Sequence, residues 1–397
     1  MSRVKSGGVL LLSVLAVACG SDAANRGEAW SVRDSSGVRI VENALMPEAT
    51  WRVGTEPLFT VGWEEGGPLF TWPQSGLILE DGGALIGEFS EGKIYRLGSD
   101  GSVLETKGRK GEGPGEYQAL DAILLKADSV LVSDGRLRRL TILAPDGDVR
   151  TARLTGSFLH KVSAILPDGR LLLLPGEGYS ALSETRPEWV FQAQPILAMD
   201  LEGGRTTILV ELPHLRRWYG DRGGSPGPVQ IKGRAGGTRE GFAWAGSDRP
   251  EVRWYDHSGQ LLQVARWHEA PASLTSEWRD EMRRVWEEAY RARGADEAVI
   301  SSQLADLEEG LDRYEGSLPY WADFQVDRAG NVWLSRYTPP GQVPEDWRVL
   351  GRDGAYMGWL SLPGVISILD ISDDRILAVR LDELDVPAVT MFELIKP

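Results

Sequence analysis

Asp-Gly pairs punctuate this chain at short intervals, each flanked by short apolar runs. Residues 77–117 lay the pattern out in full: LILEDGGALIG, then KIYRLGSDGSVLETKG, then a glycine-rich connector RKGEGPGEY. Asp81-Gly82-Gly83 separates the first two apolar runs. Asp100-Gly101 reverses the chain between the next two, because Asp-Gly accepts the positive φ that a tight hairpin needs. The result is four short antiparallel strands in roughly 30 residues, a sheet too small to persist alone in water. Such a unit survives only by packing against copies of itself, so the question is whether it repeats.

It does. Residues 121–134 and 139–154 make a second unit, 162–174 and 196–212 a third, 229–246 and 251–267 a fourth, and 321–337 and 346–362 a fifth. First turns of units one, two, three, five and six fall near residues 81, 128, 168, 327 and 373, so neighbours are roughly 40–47 residues apart, with the fourth unit and two insertions filling 168–327. Residues 365–372, 375–382 and 389–395 supply only three strands of a sixth unit, while 51–62 read as an orphan outer strand at the other end of the chain. The two pieces complete each other. The expected fold is all-β, a six-bladed β-propeller closed by an N-terminal strand, which removes the free edge that invites aggregation. Residues 31–43 read as an edge segment leading into the first propeller strand.

One segment breaks the period of two. Thr275 or Ser276 can cap a helix carrying Glu277 and Asp280 in its first turn, and Gly294 ends it. Trp278, Met282, Val285, Trp286 and Ala289 form its apolar stripe; Ile300, Leu304, Leu307 and Leu311 form a second over 296–311. A two-helix insertion at 273–316, between blades 4 and 5, is predicted, with its stripes packed on the propeller.

The first residues belong to no blade. Arg3 and Lys5 precede an apolar run at 9–18 that is too short to span a bilayer and fits a signal-peptide core. Leu15-Ala16-Val17-Ala18-Cys19 resembles a bacterial lipobox, with Ala16 where Leu is commoner and Cys19 as the lipid-modified first residue. An ordinary secretory signal that contains a cysteine is the alternative. The organisation is therefore a signal peptide at 1–18, a small-residue tether at 19–33 and the propeller at 34–397, lipid-anchored on the outer side of a bacterial membrane. Cys19 is the sole cysteine, so an internal disulfide and a thiolate metal cluster are both excluded. The formal charge of −15, deepened by two when Arg3 and Lys5 leave, argues against nucleic acid as a partner.

Strand parity assigns the loops to faces. The a–b and c–d turns of a blade lie on one face, the b–c and d–a connections on the other. The tight turns at 81–82, 100–101, 146–147, 168–169, 258–259 and 353–354 belong to the first set. The long excursions at 109–120, 175–190, 213–228, 268–320 and 338–345 all belong to the second, where repeat proteins often bind. The helical pair should then sit beside or over the channel mouth, as a lid or a brace. Residues just ahead of each innermost strand are the candidates to ring that mouth: Trp72 and Gln74, Glu116 and Tyr117, His160 and Lys161, Trp218, Tyr219 and Arg222, and Tyr320, Trp321 and Asp323. Aromatics with a few charges suit a flat organic ligand, a carbohydrate or a peptide or protein segment. For any one of these aromatics, wedging between blades is the competing role.

Catalytic strings fail on context. Gly223-Gly224-Ser225-Pro226-Gly227 matches a nucleophile elbow but lies in a glycine-rich loop. His268-Glu269 lacks the second histidine and meets Pro271. The glycines at 111–115 lack the Lys-Ser/Thr of a phosphate loop. His160, His214, His257 and His268 are dispersed, and there is no calcium loop, so the sequence points to no metal and no cofactor. Asp323, Glu116 and Asp121 could still gather at the channel around a metal, as in hydrolytic six-bladed propellers.

The strings GRKGEGPGEY (108–117), LPYWADFQVDRAGNVWL (318–334) and DDRILAVRLDELDV (373–386) resemble the uncharacterised bacterial six-bladed β-propeller lipoproteins, distant relatives of NHL and TolB-like propellers. The resemblance covers residues 34–397. It implies fold and an extracytoplasmic, cell-envelope location, and no activity. A membrane-tethered binding or scaffolding propeller is the expected function, with a metal-assisted hydrolase or lactonase of the gluconolactonase-like class as the alternative.

Overall fold

The computed structural model describes residues 30–44, 51–64, 66–155, 160–176, 188–201, 204–220, 223–225, 227–339 and 342–396. Cys19, the signal segment and Arg222 lie outside them. Six antiparallel sheets stand around one axis, each ordered a-b-c-d from the axis outwards. Strands a are Pro73–Ile78, Leu120–Lys126, His160–Ile165, Gly233–Gly237, Phe324–Val326 and Val365–Ile371. Blade 4 owes its thin inner strand, GRAGG, to steric need. A Cβ on Gly237 would come within 2.2 Å of the Ala164 Cβ in blade 3, and one on Gly236 within 2.7 Å of Val326 in blade 5.

Closure follows the expectation, with one change. The outer strand of blade 6 comes from the N-terminal side, but 51–62 form two short strands rather than one. Arg52–Val53 pairs with Leu394 and Ile395, and Phe59–Val61 with Val389–Met391. Between them six steps on one strand face three on the other, so 54–58 bulge outwards, and Pro57 has no N–H to offer the ladder. Trp51 is buried and meets Trp333 of blade 5 edge-on, ring centroids 5.4 Å apart, an arrangement worth about 1 kcal/mol beyond its area.

Residues 31–43 do not lead into the first blade. Trp30–Ser35 and Val38–Asn43 form a hairpin, and its second strand pairs in parallel with the outer strand of blade 4, Leu261–Trp267. Blade 4 thereby becomes a six-stranded sheet. The pairing is specified by side chains beyond the hydrophobic pattern. Asn43, 4% exposed, donates to the carbonyls of Arg266 and Gly354 and accepts the N–H of Tyr356, which ties the hairpin to blade 5 as well. Arg266 bridges Glu251 of its own blade and Glu42 of the hairpin.

In blade 3 the outer strands run long. Glu188–Met199 and Thr206–Gly220 stay paired far past strand b, Leu171–Pro175, which meets strand c only through residues 171–173. Much of 213–228, read from sequence as loop, is therefore a two-stranded ribbon rising from the face that carries the long connections. Its register shifts at Gln192/Ala193, opposite Leu215 and Pro213, leaving His214 as the extra residue of a β-bulge.

The helices are Ser276–Ala292 (α1) and Glu297–Asp312 (α2). Thr275 caps α1 through the N–H of Trp278, and Asp296 caps α2 through that of Val299. Met282, Leu307 and Leu311 close over Val229 and Leu318 in a small core of their own. Trp278 stacks on Tyr337 of blade 5 at 5.5 Å, while Trp189 of the ribbon donates from Nε1 to the Arg313 carbonyl at 2.8 Å. The pair is thus fastened to blades 3, 4 and 5.

Candidate functional site

A cavity of about 780 Å3 runs along the axis, walled by all six innermost strands. Its two ends differ in chemistry. At the end carrying the long connections, the second residue of strand a is polar in five consecutive blades: Gln74, Asp121, Lys161, Arg234 and Gln325, all in the cavity wall. Backbone irregularity helps place them. In blades 1 and 2 the register shifts at Pro73/Ser75 and Leu120/Ala122, so that Gln74 and Asp121 are themselves the bulged residues. A bulge re-aims a side chain that regular alternation would send elsewhere. The ribbon of blade 3 adds Gln194 and His214 to the same wall, and the Nε2 of His160 lies 3.1 Å from the Pro195 carbonyl at its foot.

Several of these groups lack partners among the described residues. The side-chain oxygens Gln74 Oε1 and Asp121 Oδ1, and both amide atoms of Gln194, are buried without a hydrogen bond. Gln194 is 1% exposed. An unpaired buried polar atom costs about 1–3 kcal/mol, and four of them stand in this one wall. Burial pushes the Asp121 carboxyl up to about 6, the Ser133 hydroxyl and then the Lys161 ammonium pulling against it and the Asp134 carboxylate adding to it. Gly135 is what admits Asp121, since a Cβ there would stand 2.4 Å from Asp121 Oδ2.

At the opposite end the polar atoms are satisfied. Arg328 of blade 5 is ion-paired with Asp370 of blade 6, and the same carboxylate accepts the N–H of Ile78 in blade 1 at 2.8 Å. Three blades are latched at one carboxylate.

Of the residues expected to ring the mouth, Gln74 and Lys161 line the cavity, as does Asp121, expected at the channel as a carboxylate. The other described ones sit off it, and the reason recurs from blade to blade. A side chain at or just beyond the end of strand b accepts the backbone N–H groups of the chain arriving at strand a. Glu88 takes those of Thr71 and Trp72, Asp134 those of Gln118 and Ala119, Ser247 that of Lys232, and Ser335 that of Asp323. This fastens the residues ahead of strand a to their own blade, one step short of the channel. Trp72 is 55% exposed and leans on Phe89. Glu116 pairs with Arg109 and accepts the Gly113 N–H, which holds its carboxyl below the usual range. Tyr117 and Trp321 are buried between blades, Trp321 donating to the Gly246 carbonyl. Tyr320 packs beside that core, and Trp218 sits on the ribbon with Arg313 over its ring at 5.4 Å. Asp121, Gln194, His214 and Arg234 were absent from that ring. Counting two residues into each predicted inner strand finds Asp121 and Arg234, whereas Gln194 depends on the ribbon's length and His214 on its bulge.

The carboxylate set suggested for a metal does not assemble. Asp121 lies in the wall, but Glu116 and Asp323 do not line the cavity. Among the described residues no group of three or more His, Cys, Asp or Glu side chains could hold an ion. Neither helix contributes a side chain to the cavity wall.

No family model matches the chain, and no curated protein does. Solved structures do. An exported protein from Bacteroides fragilis is similar at a TM-score of 0.50 and 12% identity, over 90% of this chain and 99% of that one. A protein of unknown function from Bacteroides thetaiotaomicron (TM-score 0.46, 9% identity, 88% and 77% covered) and virginiamycin B lyase from Staphylococcus aureus (0.43, 10%, 87% and 100%) are also similar. At such identities the likeness speaks of fold alone, and the architecture is that of a six-bladed β-propeller. Among the described residues no helix is long and apolar enough to cross a membrane.

Proposed function

We propose that the protein is an extracytoplasmic binding propeller, held to a membrane through a lipidated Cys19, that takes a small polar ligand at the long-connection end of its channel. The observation that carries this reading is the polar ring, in which one side-chain oxygen each of Gln74 and Asp121 is without a hydrogen bond among the described residues, together with the Gln194 amide beside it. A cavity of about 780 Å3 is of the size that encloses a small molecule. The lipobox-like 15–19 supports the anchor, and the roughly ten residues between Cys19 and the first strand reach at most about 35 Å.

Two experiments test it. A ligand-observed NMR screen of a small-fragment library should find binders whose signals fall in Gln194→Leu; a library with no such binder overturns the reading. For the anchor, metabolic labelling with an alkyne fatty acid should mark the wild type and leave Cys19→Ser unlabelled. Equal labelling, or none in either, removes the tether.

A further inference from the structure

Strands b and c of blade 3 part inside the cavity wall. Their pairing ends at Leu173–Leu197, although strand b continues to Pro175 and strand c, followed backwards, reaches Glu188. The fork between them belongs to the wall: Leu174, Pro175, Ile196 and Leu212 give it apolar sides, and Gln194 stands three residues past the last pair. Gln194 is 1% exposed, and neither its Oε1 nor its Nε2 has a hydrogen bond among the described residues. Its backbone is committed to the ribbon, opposite Leu212. Pro175, on the other arm of the fork, has no N–H with which to meet the Gln194 oxygen. Each unmet atom costs about 1–3 kcal/mol, which a ligand that bonds both recovers.

A carboxamide holds an acceptor and a donor side by side in one plane. Its complement offers a donor and an acceptor in the same way, as a primary carboxamide does, or a ring amide whose N–H and C=O lie on one side. An ordinary trans peptide bond sends the two to opposite sides and meets only one end. A carboxylate brings acceptors without a donor, and an ammonium donors without an acceptor. The geometry points to a compact, largely apolar molecule with a lactam or primary-carboxamide edge as the ligand of this fork, its amide paired edge to edge with Gln194 and its body against Leu174, Ile196 and Leu212. A molecule that supplies only one of the two hydrogen bonds leaves the other end of the Gln194 amide buried and unmet, which makes the discrimination steep. This inference rests on the binding reading above and names the group recognised.

Saturation-transfer NMR on the full mature chain tests it with 2-piperidone and isobutyramide on one side, and 1-methyl-2-piperidone, δ-valerolactone and piperidine on the other. At least one of the first pair should bind. The second set keeps the ring but lacks the donor or the acceptor, and should bind at least about tenfold more weakly. Gln194→Leu should weaken the amide about tenfold or more. Because the Gln194 amide has no bond to lose in the empty protein, the same variant should melt at or above the wild-type temperature, whereas a merely structural glutamine would lower it. The methylated lactam or the lactone binding as tightly as 2-piperidone, amide binding indifferent to Gln194→Leu, or a lowered melting temperature in that variant overturns the amide edge while leaving a binding propeller in place. Silence from every probe overturns it too, and an empty fragment screen then removes the binding reading as well.

Discussion

The two ends of the channel are built from the same six strands and differ in how their polar groups are settled. At the tight-turn end, Asp370 takes a guanidinium and a backbone N–H, so its charge is spent on holding blades 5, 6 and 1 together. At the long-connection end, polar groups of similar cost face the cavity with atoms left over. Closure of a ring and recognition of a ligand are both polar tasks, and the accounting of hydrogen bonds separates them. A satisfied carboxylate between blades is a fastening, and one that keeps an unpaired oxygen in a cavity wall is, on the proposed reading, a recognition group.

Substitutions should therefore have opposite signatures at the two ends. The largest stability effect is expected from Asp370→Ala, which strands the Arg328 cation and the Ile78 N–H and should cost about 3 kcal/mol in urea unfolding, with ligand binding retained by the folded fraction. A loss below about 0.5 kcal/mol would mean that the latch is ornamental. Next comes Trp189→Ala, which removes the bond to Arg313 and the ring under Arg216, 4.7 Å from its centroid. It should loosen the helices by about 2 kcal/mol, read as faster amide exchange across α1 and α2 with the blades unchanged.

Asp121→Asn should behave differently from either. Its carboxyl, raised to about 6 from an ordinary 3.8, binds protons more readily in the folded protein than in the unfolded chain. Stability therefore falls as pH rises from about 4 to about 6.5, by about 3 kcal/mol in total, and stays at that lower level above it. Desolvation, the Ser133 hydroxyl of its own blade, the Lys161 ammonium on blade 3 and the Asp134 carboxylate set that range. The Asn variant should lack that slope and match or exceed wild-type stability at neutral pH. An identical pH profile in the two proteins would show that Asp121 is not raised. The smallest stability effect belongs to Lys161→Met, an exposed position, within about 0.5 kcal/mol of wild type by thermal melting.

Much of this contrast was legible in the chain before any coordinates. Asp-Gly turns set the blade count, the orphan strand at 51–62 announced closure, and strand parity put every long excursion on one face. Those features depend on local chemistry and on counting. Of the polar residues in the cavity wall, Gln74 and Lys161 were among the expected mouth residues, while the other described ones expected there lie off the wall. Glu116, Tyr117 and Trp321 were chosen because they precede an inner strand, and nothing local reveals that Asp134 or Ser335 ties the incoming chain to strand b. Gln74 and Asp121 face the channel through bulges, which shift register without a composition signal. The hairpin at 30–43 was misplaced for a similar reason. Its partner strand lies more than two hundred residues away, and Asn43 finds its bonding groups only after blades 4 and 5 have come together.

That hairpin has a mechanical consequence. Any pull on the chain ahead of Trp30 reaches it before it reaches the strands that close blade 6, and it acts on Trp30–Ser35, the outermost strand of the blade 4 sheet. Peeling that strand breaks its bonds to Val38–Asn43 one after another, at low force, while Asn43 and the parallel ladder to Leu261–Trp267 stay engaged. A tug from the proposed anchor would spend itself on a strand the propeller can lose and re-form, and the circle of blades would feel little of it.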